Sequence, residues 1–332
     1  MSPVPFQHHH QPQHLKVLLI QKPPSSIPVE SHLISKNFHV LKAWESPELL
    51  EQILSSHADS IQALICYDDG TNVVDAGFLR QLPALRLVVT ITAAVNHIDM
   101  AECRQRGIAV ANSGMVYSED VADMAVGLLI DVARNISASD RFVRHGLWKT
   151  KGGYPLGFKL GGKRVGIVGL GSIGSEVAKR LEGFGCKISY NSRSQKPSIS
   201  YPFYSNVKEL AAKSDVLIIC CELNDKTHHM IDREVLLALG KEGVIINVGR
   251  GSIIDEKEMV KCLVNGETRG AGLDVFENEP DVPKELLELD NVVVSPHKAF
   301  STLESIESLC QLVVANLEAF FSNKPLFTPV IG

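Results

Sequence analysis

The segment RVGIVGLGSIGSEVAKRLEGFG, Arg164 to Gly185, leaves a chain little choice of fold. An apolar run from Arg164 to Val168 stops at Gly169, and Gly171 and Gly174 follow at GxGxxG spacing before a helical pattern begins near Ser172. The first glycine permits a tight turn, the second lets backbone approach a pyrophosphate, and the third allows close helix–strand packing. Ser172 and Ile173 fall at the helix start, where free N–H groups and a partial positive charge suit phosphate. The pattern alone is short and glycine is common. The strand before it and the helix after it favour a dinucleotide-binding fingerprint over a glycine-rich turn with no ligand.

The rest of the chain repeats this alternation. LKVLLI, IQALICY, LRLVVTI and GIAVAN read as buried strands, with helical patterns such as SPELLEQILSS and DMAECRQRG between them. YSEDVADMAVGLLIDVARNISASDRFVRHGLW reads as one long helical stretch, with Ser118 as N-cap and Glu119, Asp120 and Asp123 near its positive end. A second series follows: KRVGIVG, CKISY, DVLIICC, GVIINV, GAGLDV and NVVVS. The expected fold class is therefore α/β, with two doubly wound parallel-sheet domains. The last helix carries an apolar stripe of Leu303, Ile306, Leu309, Val313, Leu317 and Phe320, wide enough to need a partner surface. It is expected to cross back and cover the first domain. The boundaries are a disordered tail at 1–14, a discontinuous substrate domain at 15–117 and 300–332, and a Rossmann domain at 118–299.

A feature expected after the fingerprint is missing. About 20 residues beyond GxGxxG an Asp or Glu normally holds the ribose hydroxyls of NAD. Here the strand CKISY runs into Asn191, Ser192, Arg193 and Ser194, and no acid stands between Glu182 and Glu209. Asn191 has the hydrogen-bonding shape of Asp without its charge. Arg193 suits a 2′-phosphate through charge-assisted bonds, and Ser192 and Ser194 add hydroxyl donors. The reading is NADP (NADPH); the alternative is a solvated turn before Pro197 that NAD tolerates.

Three motifs follow strands. NVGRGS places Arg250, GLDVFENEP places Asp274 with Glu277 and Glu279 beyond it, and NVVVSPHKAF places His297. In an open α/β sheet, ligands bind outside the carboxyl ends of strands, which puts all three on the nicotinamide side. Cys221, Val248 and Gly249 complete the expected cofactor-binding set. Hydride transfer to a ketone needs an acid for the developing alkoxide, a role suited to His. A carboxylate orients the imidazole and favours its charged form, and an Arg binds the carboxylate of a 2-oxo acid. Any one of the three residues alone has a structural explanation; together at strand ends they point to chemistry.

VGIVGLGSIG, YNSRSQKP, NVGRG, GAGLDVFENEP and VVVSPH, with RGIAVAN and DVADMAVGLL, resemble the D-isomer-specific 2-hydroxyacid dehydrogenases, and within them the plant-type, NADPH-preferring glyoxylate/hydroxypyruvate reductases. The resemblance runs from about Leu15 onward. It implies a flavodoxin-like substrate domain, Arg250 as substrate-binding arginine, Glu279 as partner of the acid/base His297, and Asp274 beside the nicotinamide carboxamide. It also implies a homodimer through 118–148, with Trp148 near the partner active site. The family's carboxylate-binding loop SVGxDxID is matched by TAAVNHID, so Ala93 and Ala94 offer the N–H groups and Asn96 replaces Asp. An alanine Cβ disfavours positive φ, so a loop requiring it would bind more weakly. Lys298 and Ala299 stand where the family has any residue and Gly, which adds a cation opposing Glu279.

Composition excludes other classes. A net charge of −5 without a Lys/Arg cluster argues against nucleic acid, and no apolar run reaches membrane-spanning length. MSPVPFQHHHQPQH has no apolar h-region, TPVIG is no Ser-Lys-Leu signal, and the seven scattered cysteines lack CxxC spacing. These point to a reducing, cytoplasmic location. His8, His9, His10 and His14 read as a polar tail, and no metal site is expected. The expected function is NADPH-dependent reduction of small 2-oxo acids (glyoxylate, hydroxypyruvate, pyruvate) to D-2-hydroxy acids. Alternatives are a hydroxyphenylpyruvate reductase, a dinucleotide-sensing corepressor, and a weakly active nucleotide-sensing paralogue.

Overall fold

The computed structural model describes residues 15–23, 27–36, 38–44, 47–67 and 74–330. The expected tail at 1–14, with its four histidines, lies outside the described residues, as do the last two residues of TPVIG. Two compact units divide the chain, one running to Val116 and resuming at Leu303, the other spanning Tyr117–Thr302.

The first unit is built on five parallel strands: β1 (Lys16–Leu19), β2 (His39–Lys42), β3 (Ile61–Cys66), β4 (Leu87–Thr90) and β5 (Ala109–Ala111). Their order, β2-β1-β3-β4-β5, is the flavodoxin-like one. The apolar patterning does not mark β2, because HVLK is an edge strand with only Leu41 buried. The helix Leu303–Phe321 belongs to this unit and packs on the helix Val29–Ser35 and on β4. Ile306, Leu309, Val313 and Leu317 are buried, each large aliphatic side chain contributing roughly 1.5–3 kcal/mol. Leu303 departs from the expected stripe: it opens the helix and is 88% exposed. Beyond the helix the chain returns to β5, where Val330 N–H donates to Val110 O at 2.8 Å and Thr328 Oγ1 to Asn112 O at 2.7 Å.

The second unit holds six parallel strands: β6 (Arg164–Val168), β7 (Lys187–Asn191), β8 (Val216–Ile219), β9 (Val244–Asn247), β10 (Gly270–Leu273) and β11 (Val292–Val294). Every residue of β8, β9 and β10 is buried, as a parallel sheet covered on both faces requires. The order β11-β10-β9-β8-β6-β7 reverses between β6 and β8, which makes a switch-point crevice at their carboxyl ends.

The stretch from Ser118 is three helices rather than one: Ser118–Arg134, Ile136–Arg144 and Leu147–Lys151. The breaks fall at Asn135 (φ 53°) and Gly146 (φ 69°), two residue types that tolerate left-handed backbone. Asp131 reinforces the first break, since its carboxylate accepts the Ser137 N–H at 2.8 Å. Ser118 is the first helical residue and not the cap; Tyr117 stands at that position with no side-chain cap bond. The Tyr117 ring packs on Phe300 (centroids 5.1 Å apart), and the Thr302 hydroxyl donates to Asp120. Those contacts hold 117 and 300–302 in the second unit, three residues beyond the expected boundary at 299.

Candidate active site

Gly169 leaves β6 with φ 94°, and a Cβ there would lie 2.6 Å from the backbone of Cys221 beyond β8. A Cβ on Gly174 would meet Gly169 O at 2.1 Å. The fold itself therefore demands these two glycines. Gly171 differs: a Cβ would meet nothing within 4 Å, and no side chain caps the helix Ser172–Gly183 that starts beside it. An open cradle against an uncapped helix start fits a pyrophosphate. Cys221 closes this crevice as a thiol that burial pushes up to about 11, so it packs there as a neutral group. Val248 is buried.

Beyond β9, Asn247 folds the NVGRG turn: Oδ1 accepts the Gly249 N–H and Nδ2 donates to Arg250 O, both at 3.0 Å. The Arg250 guanidinium donates to Gly249 O at 2.8 Å and is half-buried. A Cβ on Gly251 would lie 1.9 Å from the Phe276 carbonyl carbon, so this turn interlocks with the loop after β10. In that loop Glu279 Oε1 accepts the Phe276 N–H at 3.0 Å, and Oε2 lies 2.7 Å from His297 Nδ1. Burial pushes the Glu279 carboxyl up. The bonds from His297 and Phe276 and the charges of His297 and Arg250 outweigh it and hold the group below its ordinary value.

Asp274 takes a place that its spacing does not reveal. It is 1% exposed, its carbonyl accepts the His297 N–H at 2.8 Å, and its carboxylate accepts the N–H groups of Lys298 and Ala299 at 2.9 Å each. These three bonds hold His297 at φ 52°. A second group missed in the sequence is Glu256, 7% exposed, which accepts the Glu277 N–H at 3.1 Å. Burial, then the charges of Glu277 and Glu279, push its carboxyl up against the opposing Glu277 N–H bond.

Arg250, Glu279, His297 and Asp274 thus meet at the ends of three adjacent strands, beside a dinucleotide crevice. A family model described as D-isomer specific 2-hydroxyacid dehydrogenase, NAD binding domain, matches residues 126–299, just over half of the chain. The chain belongs to that family. The Arabidopsis thaliana glyoxylate/hydroxypyruvate reductase HPR3 is 54% identical over 315 residues, covering 95% of this chain and 97% of the relative. Hydroxyphenylpyruvate reductase of Plectranthus scutellarioides is 45% identical over 308 residues, with 93% and 97% covered. The crystal structure of an NADPH-dependent glyoxylate/hydroxypyruvate reductase from Sinorhizobium meliloti, in complex with NADP and malonate, superposes with TM-score 0.86 at 33% identity over 96% of this chain and 97% of that one. The protein is accordingly an oxidoreductase of 2-hydroxy and 2-oxo acids with a nicotinamide dinucleotide-binding domain.

The loop after β7 ends in the residues expected to choose between dinucleotides. Arg193 and Ser194 are exposed, and no ion pair holds the Arg193 guanidinium among the described residues. Ser192 Oγ donates to Ser194 O at 2.6 Å. Asn191 Nδ2 donates to Tyr204 O at 2.8 Å and Ser205 O at 3.2 Å, so its amide is engaged with backbone. In the first unit, Ala93 O accepts the Asn112 amide and Ala94 O the Thr92 hydroxyl, both at 2.8 Å. Neither alanine has positive φ, so this turn imposes no left-handed backbone on them. Among the described residues, no helix is long and apolar enough to cross a membrane.

Proposed function

We propose that the protein reduces small 2-oxo acids, glyoxylate and hydroxypyruvate first, to D-2-hydroxy acids with NADPH. The observation that carries the reading is the 2.7 Å contact of His297 Nδ1 with Glu279, which leaves Nε2 as the nitrogen open to a substrate. The carboxylate partner accepts the Nδ1 proton and orients the ring, so a proton carried on Nε2 is the one a developing alkoxide takes. When bound, the nicotinamide supplies the hydride. Arg250 pairs with the substrate carboxylate and polarises its carbonyl.

The acid-free loop with its exposed Arg193 supports NADPH over NADH. The family's homodimer through 118–148 belongs to the same reading, and Trp148 is 66% exposed on those helices. The Plectranthus relative keeps an aromatic 2-oxo acid as the second substrate class. Initial rates with hydroxypyruvate, glyoxylate and hydroxyphenylpyruvate, NADPH against NADH near neutral pH, test the proposal. The expected result is turnover of the two small acids with a clear NADPH preference. Tight NADPH binding without turnover of any of the three would overturn the catalytic reading; equal rates with both cofactors would overturn the NADPH reading.

A further inference from the structure

The two backbone carbonyls that meet Asn191 bear on cofactor choice. A carbonyl oxygen only accepts, so Tyr204 O and Ser205 O, 2.8 and 3.2 Å away, both require the NH₂ of the amide. The segment that presents them is itself fastened to β7. Tyr190 N–H donates to Pro202 O and Tyr204 N–H to Tyr190 O, each at 2.9 Å, which makes a parallel bridge of Tyr190 with Phe203. The Tyr190 and Phe203 rings pack with centroids 5.4 Å apart. Tyr190 is fully buried, and its hydroxyl accepts the Lys196 N–H at 2.9 Å. The loop 191–197 is thus tied at its start through Asn191 and near its end through Tyr190.

We infer that Asn191 is a positioning residue, not a ribose ligand: it fastens the loop carrying Arg193 to the carbonyls of Tyr204 and Ser205, and those carbonyls exclude an acid at this position. The inference rests on the reading that Arg193 meets a 2′-phosphate. A carboxylate at 191 would lose both donors and face two carbonyl oxygens at hydrogen-bond distance, an unpaired and repulsive arrangement. Putting back the acid that normally selects NAD therefore does not convert this chain to NADH. The selection lies partly in the 202–205 segment, outside the loop that touches the cofactor.

The test is made on the full chain with Asn191→Asp, Asn191→Ala, Arg193→Ala and the Asn191→Ala/Arg193→Ala double variant. Dissociation and Michaelis constants are measured for NADPH and NADH, and amide hydrogen exchange is measured without cofactor. Asn191→Ala is expected to weaken NADPH about tenfold, the scale of one or two lost hydrogen bonds, with NADH and kcat little changed. In the Arg193→Ala background the same change is expected to have almost no further effect on NADPH. Without cofactor, the Lys196 amide should exchange faster in Asn191→Ala, and Asn191→Asp should gain no NADH affinity. Equal loss of both cofactors in Asn191→Ala, or unchanged Lys196 exchange, would overturn the proposal. So would a tenfold NADH gain in Asn191→Asp. If Asn191→Asp does not fold, the alanine variant alone decides. Equal weakening of both cofactors by Arg193→Ala would instead remove the 2′-phosphate reading, and the exchange measurement would still report on the Asn191 tether.

Discussion

His297 and His229 have nearly the same backbone, φ 52° and 50°, and each directs a ring nitrogen at a glutamate of the loop after β10: Glu279 at 2.7 Å for one, Glu277 at 2.9 Å for the other. They differ in which nitrogen is committed. His297 uses Nδ1 and leaves Nε2, the nitrogen farther from the backbone, open. His229 commits Nε2 to Glu277, and its ring stacks on His228 with centroids 4.0 Å apart. The carboxylates differ as well. Against burial, the His297 and Phe276 bonds and the charges of His297 and then Arg250 lower Glu279, whereas Glu277 is anchored through its own N–H on Glu256. A His–Glu pair is therefore not a catalytic signature by itself; the open Nε2 and the neighbouring Arg250 are what single out His297 as the candidate.

The largest expected effect separates the two pairs directly. His297→Ala should lower turnover by about 10²–10⁴ with cofactor affinity retained, the usual range for a general acid, while His229→Ala lowers it less than about tenfold. Steady-state rates and cofactor titration check this, and equal losses would erase the distinction. Glu279→Gln keeps a hydrogen-bonding group and removes the charge; turnover should fall about tenfold or more, which steady-state rates check. In urea unfolding the two should not separate: each substitution unpairs one glutamate and should cost about 1 kcal/mol.

The smallest effect concerns pH. Glu279 is lowered in the folded protein, so its contribution to stability is present above its unfolded value, near about 4.3, and is lost as pH falls through the folded value. Acid should thus destabilise the wild type more than Glu279→Gln. Unfolding midpoints of both proteins at neutral and acidic pH check this, and parallel curves would show that the pairing adds nothing to folded-state stability.

Strand alternation and glycine spacing made all six strands of the second sheet readable, because β8, β9 and β10 are fully buried, largely apolar runs and β6, β7 and β11 still carry buried apolar residues. β2 stayed hidden because an edge strand buries only Leu41 of four residues. The break at Asn135 was hidden for a different reason. Asparagine is tolerated in helices, and the decisive group, Asp131 accepting from Ser137, lies on both sides of the break. That Arg250, Glu279 and His297 come together was readable because each stands in a short motif that follows a strand. What Asp274 and Asn191 do was not, since both act on backbone N–H and C=O groups brought to them by segments 24 and 13 residues away. Side-chain chemistry shows in sequence, whereas backbone partners appear only once the chain is folded.

The discontinuity of the first unit has a consequence for the order in which a ribosome delivers the parts. Domains generally fold as units during synthesis, N-terminal ones first. Here that order is inverted. The second unit is contiguous from Tyr117 to Thr302 and is complete while the first still lacks the helix Leu303–Phe321, the cover of β4. β1 to β5 emerge earliest and wait longest, so the oldest sheet in the nascent chain is the last to be closed.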